Sequence, residues 1–333
     1  MRSRKLVLMA AVSTALVMAS AGQAAASFPG QPGVSFVRFN GQNFRIFSMR
    51  PDGSRERKVL GPETENAYFA AATSPDGERI VYSRTVGEQF DLFVLRIGGN
   101  SKRITNTPNK NEYSPTWTPD GDAVVYMETD EVEYSAIVRR GADGSRRREI
   151  DRSIANYLLY PSVSPNGERV LYSRPRGGGG AARGDGSYDL VTKRVDGTGG
   201  RRWLTDGARH QIAGDWSPHG KRVVFLQRAA MVLERLDGRA RPHVDRRLFR
   251  GPPAEAKILS MKVTGGGKRL ITDRPGIDGR VQYTPEGERV MFTRFAHDSA
   301  DLYSARVGGG GLKRLTQTVE TYNAFDLLQI VPT

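Results

Sequence analysis

One tight-turn signature is written five times along this chain, and it restricts the possible folds more than any other feature. It first appears as Ser74-Pro75-Asp76-Gly77-Glu78-Arg79, running into Ile80-Val81-Tyr82-Ser83-Arg84. It returns as Thr118-Pro119-Asp120-Gly121 before Val124-Val125-Tyr126, and as Ser164-Pro165-Asn166-Gly167 before Val170-Leu171-Tyr172. The last two copies are Ser217-Pro218-His219-Gly220 before Val223-Val224-Phe225, and Thr284-Pro285-Glu286-Gly287 before Val290-Met291-Phe292. In each, proline fixes φ at the first corner, a short polar residue suits the second, and glycine takes the left-handed position. The run that follows is apolar at successive positions, as in a strand buried on both faces. Successive prolines lie 44, 46, 53 and 67 residues apart, so the chain is a repeat built on a unit of this size.

A second unit sits between the copies of the first: an apolar strand, a glycine turn, two basic residues and a short strand. Examples are Leu92-Phe93-Val94-Leu95, Gly98-Gly99, Lys102-Arg103-Ile104-Thr105, and Leu302-Tyr303, Gly308-Gly309, Lys313-Arg314-Leu315-Thr316. Together the two units make a four-stranded antiparallel blade, and the chain is read as an all-β, six-bladed β-propeller. Six outer hairpins but five Pro-x-Gly turns leave one blade short of its first strand. The chain opens in a second strand, Val34 to Arg38, and Tyr322 to Leu328 reads as the missing first strand. The C-terminal strand then joins the N-terminal blade and closes the wheel. Surplus residues at 228–256 break the period, as an insertion in the fifth blade or a degenerate seventh blade; the insertion is preferred.

Residues 1–26 read as a secretory signal peptide. Arg2, Arg4 and Lys5 precede an apolar segment from Leu6 to Met18, and Ala24-Ala25-Ala26 supplies the expected cleavage site. The apolar segment is shorter than the ~20 residues a membrane span needs, and no later stretch is apolar enough. Residues 27–333 then form a single propeller domain, exported to the periplasm or the medium, and a monomer is expected. The sequence contains no cysteine, which excludes disulfides and thiolate metal sites. No cofactor and no metal site are expected.

The repeated Ser-Pro-Asp-Gly-x-Arg-Ile-Val-Tyr, with Asp-Leu-Tyr-like strands and Arg-Leu-Thr, resembles the TolB-type, WD-repeat-like β-propeller family. The resemblance covers residues 34–330 and includes no counterpart of the N-terminal α/β domain of TolB. It implies a periplasmic adaptor that grips peptide segments of envelope partners. Related propellers cap prolyl-oligopeptidase-type hydrolases, but this chain has neither a hydrolase domain nor a Gly-x-Ser-x-Gly elbow.

The formal charge is +14, or +11 without the three leader cations. The basic pairs Arg57-Lys58, Lys102-Arg103, Arg147-Arg148, Arg201-Arg202, Lys268-Arg269 and Lys313-Arg314 fall on the fourth, outermost strand of each blade. They are read as rim charges that discourage edge pairing rather than as a nucleic-acid surface. Aligning the repeats places Arg38, Arg84, Glu128, Arg174, Gln227 and Arg294 at one position, ringing the mouth opposite the Pro-x-Gly turns. Guanidinium groups there would grip a carboxylate or phosphate; alternatively each pairs within its blade, with Asp91, Asp189 or Asp301 for instance. His210 and His297 are expected on the same face, and Phe69, Trp117, Tyr160 and Trp216 are expected to shape the channel. The acidic run Glu128, Asp130, Glu131, Glu133 is read as a solvated loop without regular calcium-ligand spacing. The leading function is a non-enzymatic binding scaffold for an envelope protein, a peptide or an anionic glycan. The alternative is a secreted lyase or hydrolase acting on acidic polysaccharide through His210 and His297.

Overall fold

The computed structural model describes residues 34–39, 44–61, 68–130, 134–154, 156–176, 187–206, 209–228, 235–236, 239–240, 256–274, 277–296, 299–317 and 329–332. These form six four-stranded antiparallel sheets and a two-stranded ribbon, with no helix among them. Blade 2 is Tyr68–Thr73, Arg79–Val86, Gln89–Arg96 and Ser101–Arg103, from axis to rim. Blade 3 is Asn111–Trp117, Ala123–Thr129, Tyr134–Gly141 and Arg148–Ile154. Blade 4 is Leu159–Val163, Arg169–Pro175, Tyr188–Arg194 and Arg202–Trp203. Blade 5 is His210–Trp216, Arg222–Arg228, Lys257–Lys262 and Arg269–Thr272. Blade 6 is Ile277–Tyr283, Arg289–Ala296, Ser299–Arg306 and Lys313–Arg314.

Blade 1 takes its outer three strands from the N-terminal end, Val34–Phe39, Phe44–Met49 and Arg57–Leu60. Its first strand is Gln329–Pro332, antiparallel to Val34–Phe39, with Val34 opposite Pro332 and Val37 opposite Gln329. The clasp is as expected, but the strand that makes it lies further along than Tyr322 to Leu328. Ile330-Val331 is a β-branched pair suited to a buried strand, whereas 322–328 mixes Asn323 and Asp326 into its run. Residues 321–328 lie outside the described residues.

Among the described residues there is no seventh four-stranded sheet. The second strand of blade 5 pairs directly with Lys257–Lys262, so the extra residues are inserted between its second and third strands. Within that insertion Arg235–Leu236 pairs with Arg239–Ala240.

Each blade has two apolar faces, and each is covered by a neighbour. Val37 and Ile46 pack with Ala71 and Ile80 between blades 1 and 2. Ala72 and Val81 meet Trp117 and Val124 between blades 2 and 3. Val125 and Ile137 meet Val163 and Val170 between blades 3 and 4, and Leu171 and Leu190 meet Trp216 and Val223 between blades 4 and 5. Val224 and Ile258 meet Val281 and Phe292 between blades 5 and 6. Val34, Phe36 and Met49 then pack on Met291 and Leu302, which returns from blade 6 to blade 1.

The repeated turns also touch from blade to blade. The Ser74 carbonyl accepts Gly77 N–H at 2.9 Å, and the Asp76 side chain accepts from the Ser74 hydroxyl and from Glu78 N–H. Gly121, at φ +72°, is the left-handed corner of its turn, and a Cβ there would stand 3.6 Å from Pro75 of the preceding blade and 3.0 Å from the Arg79 guanidinium. The same proline-to-glycine step joins Pro119 to Gly167, Pro165 to Gly220 and Pro218 to Gly287. The tryptophans expected to line the channel are instead blade joints. Trp117 Nε1 donates to Ala72 O at 2.8 Å, and Trp216 Nε1 to Ser162 O at 3.1 Å, each reaching the first strand of the blade before.

First strands carry an irregularity that the repeat does not announce. Ala70, Ser114, Tyr160 and Ala213 have φ of +42°, +52°, +54° and +55°, each at a break in register between the first and second strands. Such β-bulges bend the innermost strand, at about 1–3 kcal/mol each for a non-glycine residue.

Removing residues 329–333 leaves blade 1 with three strands and exposes the seam with blade 6. Four ladder positions at about 1 kcal/mol each predict a loss of about 4 kcal/mol, before any packing loss. Scanning calorimetry of the truncated chain tests this; an unchanged melting temperature shows that closure does not depend on the clasp.

Candidate functional site

The six aligned positions share one place in the fold, at the end of the second strand away from the Pro-x-Gly turn. Their cross-strand partners are Arg45, Asp91, Ala136, Asp189, Lys257 and Asp301, at equivalent places in the six third strands. Three of the arginines adopt one geometry. Arg38 lies 4.4 Å from the Phe47 ring centre, Arg84 lies 3.9 Å from Phe93, and Arg294 lies 5.5 Å from Tyr303. Each ring packs in turn on an aromatic of the second strand: Phe36, Tyr82 and Phe292, at 5.6, 5.8 and 6.3 Å. An aromatic two residues before the arginine and one across the strand pair therefore build a ledge on which the guanidinium lies. Blades 6, 1 and 2 are consecutive, so the three ledges form an arc. Arg38 also holds Glu56 through two parallel bonds of 2.7 and 3.0 Å, the fork geometry of guanidinium with carboxylate.

The remaining positions behave differently. Arg174, with Val191 where the others have a ring, turns to blade 3 and donates to Asp151 Oδ2 and Arg152 O, both at 3.1 Å. Asp151 also receives Arg201 and Tyr172, and these donors hold its carboxyl below the usual range against the cost of burial. Glu128 is fully buried and accepts from Lys110 at 2.7 Å and Arg147 at 2.8 Å, so it is no part of a solvated acidic loop. Gln227 is half-buried opposite Gln211. His210 accepts the Tyr188 N–H on Nδ1 at 3.3 Å. Burial, and then Arg228, lower its pKa, so the ring stays neutral with its proton on Nε2. His297 and the side chain of Phe69 lie outside the described residues.

The basic pairs of the fourth strand do more than decorate a rim. Arg103 reaches inward to Asp91 at 2.6 Å and Arg314 to Asp301 at 2.5 Å. Lys102 and Lys313 reach sideways to the next blade's outer turn, donating to Asp143 O and Asp52 O at 3.0 and 2.7 Å. The pair thus ties one blade internally and to its neighbour.

Beneath the arginine positions lies a latch that the Asp-Leu and Leu-Thr motifs encode. In blade 4 Thr205 Oγ1 donates to Asp189 Oδ1 at 2.6 Å and accepts the Leu190 N–H at 2.9 Å. Thr316, Asp301 and Leu302 repeat this in blade 6, and Thr105, Asp91 and Leu92 in blade 2. Blade 4 has Trp203 where blade 2 has Arg103, and Arg176 replaces that arginine from the other side, 2.7 Å from Asp189 and 4.6 Å from the Trp203 ring.

The blade 2 latch has an extra member. Glu112 is fully buried in the first strand of blade 3, with Oε2 3.0 Å from Thr105 Oγ1. Thr105 has one proton to give and stands 3.2 Å from Asp91 Oδ1, so it satisfies only one of the two carboxyls at a time. Burial first, and then the neighbouring Asp91 charge, push the pKa of Glu112 up to about 8. A second buried pair spans blades 4 to 6 at the axis. Asp215 accepts from Ser162 Oγ at 2.8 Å and Tyr283 N at 3.1 Å, while Arg280 donates to Pro161 O at 2.6 Å. Burial raises Asp215 to about 6 and lowers Arg280 to about 9, so both are charged at neutral pH.

Among the described residues no group of three or more His, Asp or Glu side chains is arranged to hold a metal ion. No described helix is long and apolar enough to cross a membrane.

A wheel of six four-stranded blades, clasped by its own C-terminal strand and numbered by Ser-Pro-Asp-Gly turns, defines a propeller of the TolB kind. The TolB beta propeller domain family matches residues 24–247, and the chain belongs to that family. None of the curated proteins matches it by sequence. Among solved structures it is similar to TolB from Acinetobacter baumannii, with 16% identity, a TM-score of 0.64, and 84% of this chain and 62% of that one covered. The chain thus spans less than two thirds of that TolB. A putative TolB from Agrobacterium tumefaciens is 20% identical with a TM-score of 0.60, over 86% of this chain and 90% of that one. An oligogalacturonate lyase from Vibrio parahaemolyticus is 11% identical with a TM-score of 0.59, over 94% and 81%. At these identities the likeness is one of fold.

Two stability predictions follow from the latches. Thr205→Val leaves the buried Asp189 carboxylate short of a donor and lowers stability by about 1–3 kcal/mol in urea unfolding. Glu112 binds a proton more tightly folded than unfolded, so its contribution is complete below pH 4.5 and is lost as pH rises through about 8. Glu112→Gln therefore flattens the fall in stability across that window and is the more stable form above it. Parallel slopes for the two proteins would show that Glu112 is ionised in the fold.

Proposed function

We propose that the chain is an exported, non-enzymatic binding scaffold that takes a carboxylate-bearing protein, peptide or anionic envelope glycan on the arc Arg294, Arg38, Arg84. The observation that carries this reading is the same guanidinium-on-ring ledge at equivalent positions of three consecutive blades. A guanidinium laid flat on an aromatic keeps its in-plane N–H groups directed sideways and loses little freedom on meeting a carboxylate. The Arg38–Glu56 fork is the internal counterpart of that contact. Membership of the TolB propeller family supports a binding role in general. Export is supported by the Arg2, Arg4, Lys5 and Leu6 to Met18 leader with its Ala24-Ala25-Ala26 end.

The alternative, a lyase or hydrolase acting on acidic polysaccharide, is favoured by likeness in fold to an oligogalacturonate lyase. It calls on His210, which lies half-buried and hydrogen-bonded at the start of the first strand of blade 5.

The test is calorimetric titration with poly-glutamate and with polygalacturonate, before and after Arg38→Ala, Arg84→Ala and Arg294→Ala. Binding is expected to weaken at least tenfold in the triple variant. The cation–π contacts and the Arg38–Glu56 surface pair that are removed contribute about 0.5–1 kcal/mol each, so the fold persists. Undiminished binding in a folded triple variant removes the arc as the site, and cleavage of polygalacturonate replaces the scaffold reading with the enzymatic one.

A further inference from the structure

The inner and outer turns of a blade lie side by side, joined by one repeated bond. Ile97 N donates to Glu78 O, Val195 N to Glu168 O, Val263 N to Lys221 O and Val307 N to Glu288 O. In four of these blades a cationic pair faces itself across the strands just inside the turns: Arg79 and Arg96, Arg169 and Arg194, Arg222 and Lys262, Arg289 and Arg306. Like charges at directly opposed positions repel. Blades 2 and 4 answer with turn acids: Asp76 lies 3.0 Å from Arg79, Glu78 4.0 Å from Arg96, and Asp196 2.9 Å from Arg194.

Blade 5 does not answer in this way. Where other blades have Asp76, Asp120 or Glu286, it has His219; where they have Glu78, Asp122, Glu168 or Glu288, it has Lys221. Its outer turn carries Thr264 and leads to Lys268 and Arg269. Lys221, Lys262, Lys268 and Arg269 are all exposed, and the one acid within ion-pair distance of them among the described residues is Asp206 of blade 4, 3.7 Å from Lys268. Glu168 and Glu286 bound the patch on the flanking blades.

A second, independent feature coincides with this charge. The described residues include three exposed large apolar side chains, Ile154, Leu270 and Leu312. Leu270 is 49% exposed on the outermost strand of blade 5, beside Lys268 and Arg269. Leu312 is 39% exposed on the outer turn of blade 6, beside Lys313 and near Arg306. That turn packs on the strand bearing Leu270, since a Cβ on Gly309 would stand 3.7 Å from Ile271 O. The two exposed leucines therefore belong to a neighbouring strand and turn of the rim, each flanked in sequence by lysine or arginine.

We propose that the outer edges of blades 5 and 6 are a docking surface for an anionic membrane. The cations meet lipid phosphates, and Leu270 and Leu312 enter the boundary between headgroups and acyl chains. The chemistry selects this partner over a soluble polyanion. Charge alone serves a dissolved polymer, whereas exposed leucine among cations gains free energy only where apolar material lies behind the anions. The surface is on the outermost strands and turns, away from the arginine arc, so the proposal is independent of the ligand held there.

The experiment is sedimentation of the full chain with vesicles of equal phosphatidylcholine and phosphatidylglycerol, against vesicles of phosphatidylcholine alone, at low and high salt. The parent binds the anionic vesicles and releases them at high salt. Lys268→Glu with Arg269→Glu weakens binding by about thirtyfold or more, from about fivefold per surface cation lost. Arg57→Glu with Lys58→Glu, an equal change of charge on blade 1, weakens it by less than about threefold by the same reasoning. Leu270→Ser with Leu312→Ser lowers vesicle binding while leaving its salt dependence in place, which also serves if the charge variant fails to fold. All variants keep residues 1–26, so any contribution from the leader cancels. Equal losses in the two charge variants overturn the proposal, as does unaltered binding in the leucine variant.

Discussion

Every blade of this protein has two apolar faces and no way to bury both by itself. Tyr82, Tyr126, Tyr172, Phe225 and Phe292 stand at equivalent places in five second strands, each exposed by 1% or less. An isolated four-stranded sheet leaves both faces in water, and a stack of sheets still leaves one at each end. Bending the stack until its ends meet removes both, which is why so much of the structure serves closure. The clasp of Gln329–Pro332 on Val34–Phe39, the packing of Phe36 on Met291 and Leu302, and the Lys313 bond to Asp52 O all lie at that seam. The bulges of the first strands belong to the same requirement, because the innermost strands have the tightest space to share.

A strongly basic chain also has to place its cations. Many are matched to buried carboxylates: Arg147 and Lys110 on Glu128, Arg201 and Arg174 on Asp151, Arg103 on Asp91. These pairs sit between strands and between blades, where a low dielectric strengthens the attraction but penalises any partner left alone. Glu112 marks the limit of the scheme. No cation reaches it within ion-pair distance among the described residues, and a proton takes that place. The unevenness around the wheel is then informative: blades 2 and 4 balance their turn cations with acids, and blade 5 leaves them facing water.

Much of the architecture was legible along the chain. Five Pro-x-Gly turns and six basic hairpins led to six blades and a clasp, because turn chemistry and strand burial act within a few residues. The six aligned positions were legible by their place in the repeat but not by the direction of their side chains. The alignment of Arg38, Arg84, Arg174 and Arg294 holds in the register, yet where each side chain lies depends on a residue across the strand: Phe47, Phe93 and Tyr303 offer a ring, and Val191 does not. Trp117 and Trp216 were expected at the channel and prove to be joints, since their indole N–H groups find a carbonyl on the preceding blade. Glu112 carried no signal at all, as its neighbour Thr105 belongs to another blade.

The order of strands, the number of blades and the position of each turn were thus settled by the amino-acid order itself, through local backbone preferences and the spacing of apolar runs. Which strand of the tail completes the ring, which cations turn inward, and which carboxyl keeps its proton were settled only when the wheel closed. Those outcomes depend on distances between residues of different strands and blades, whether 7 positions apart, as Thr105 and Glu112 are, or at opposite ends of the chain, as at the clasp, and on the exclusion of water from the gaps between them.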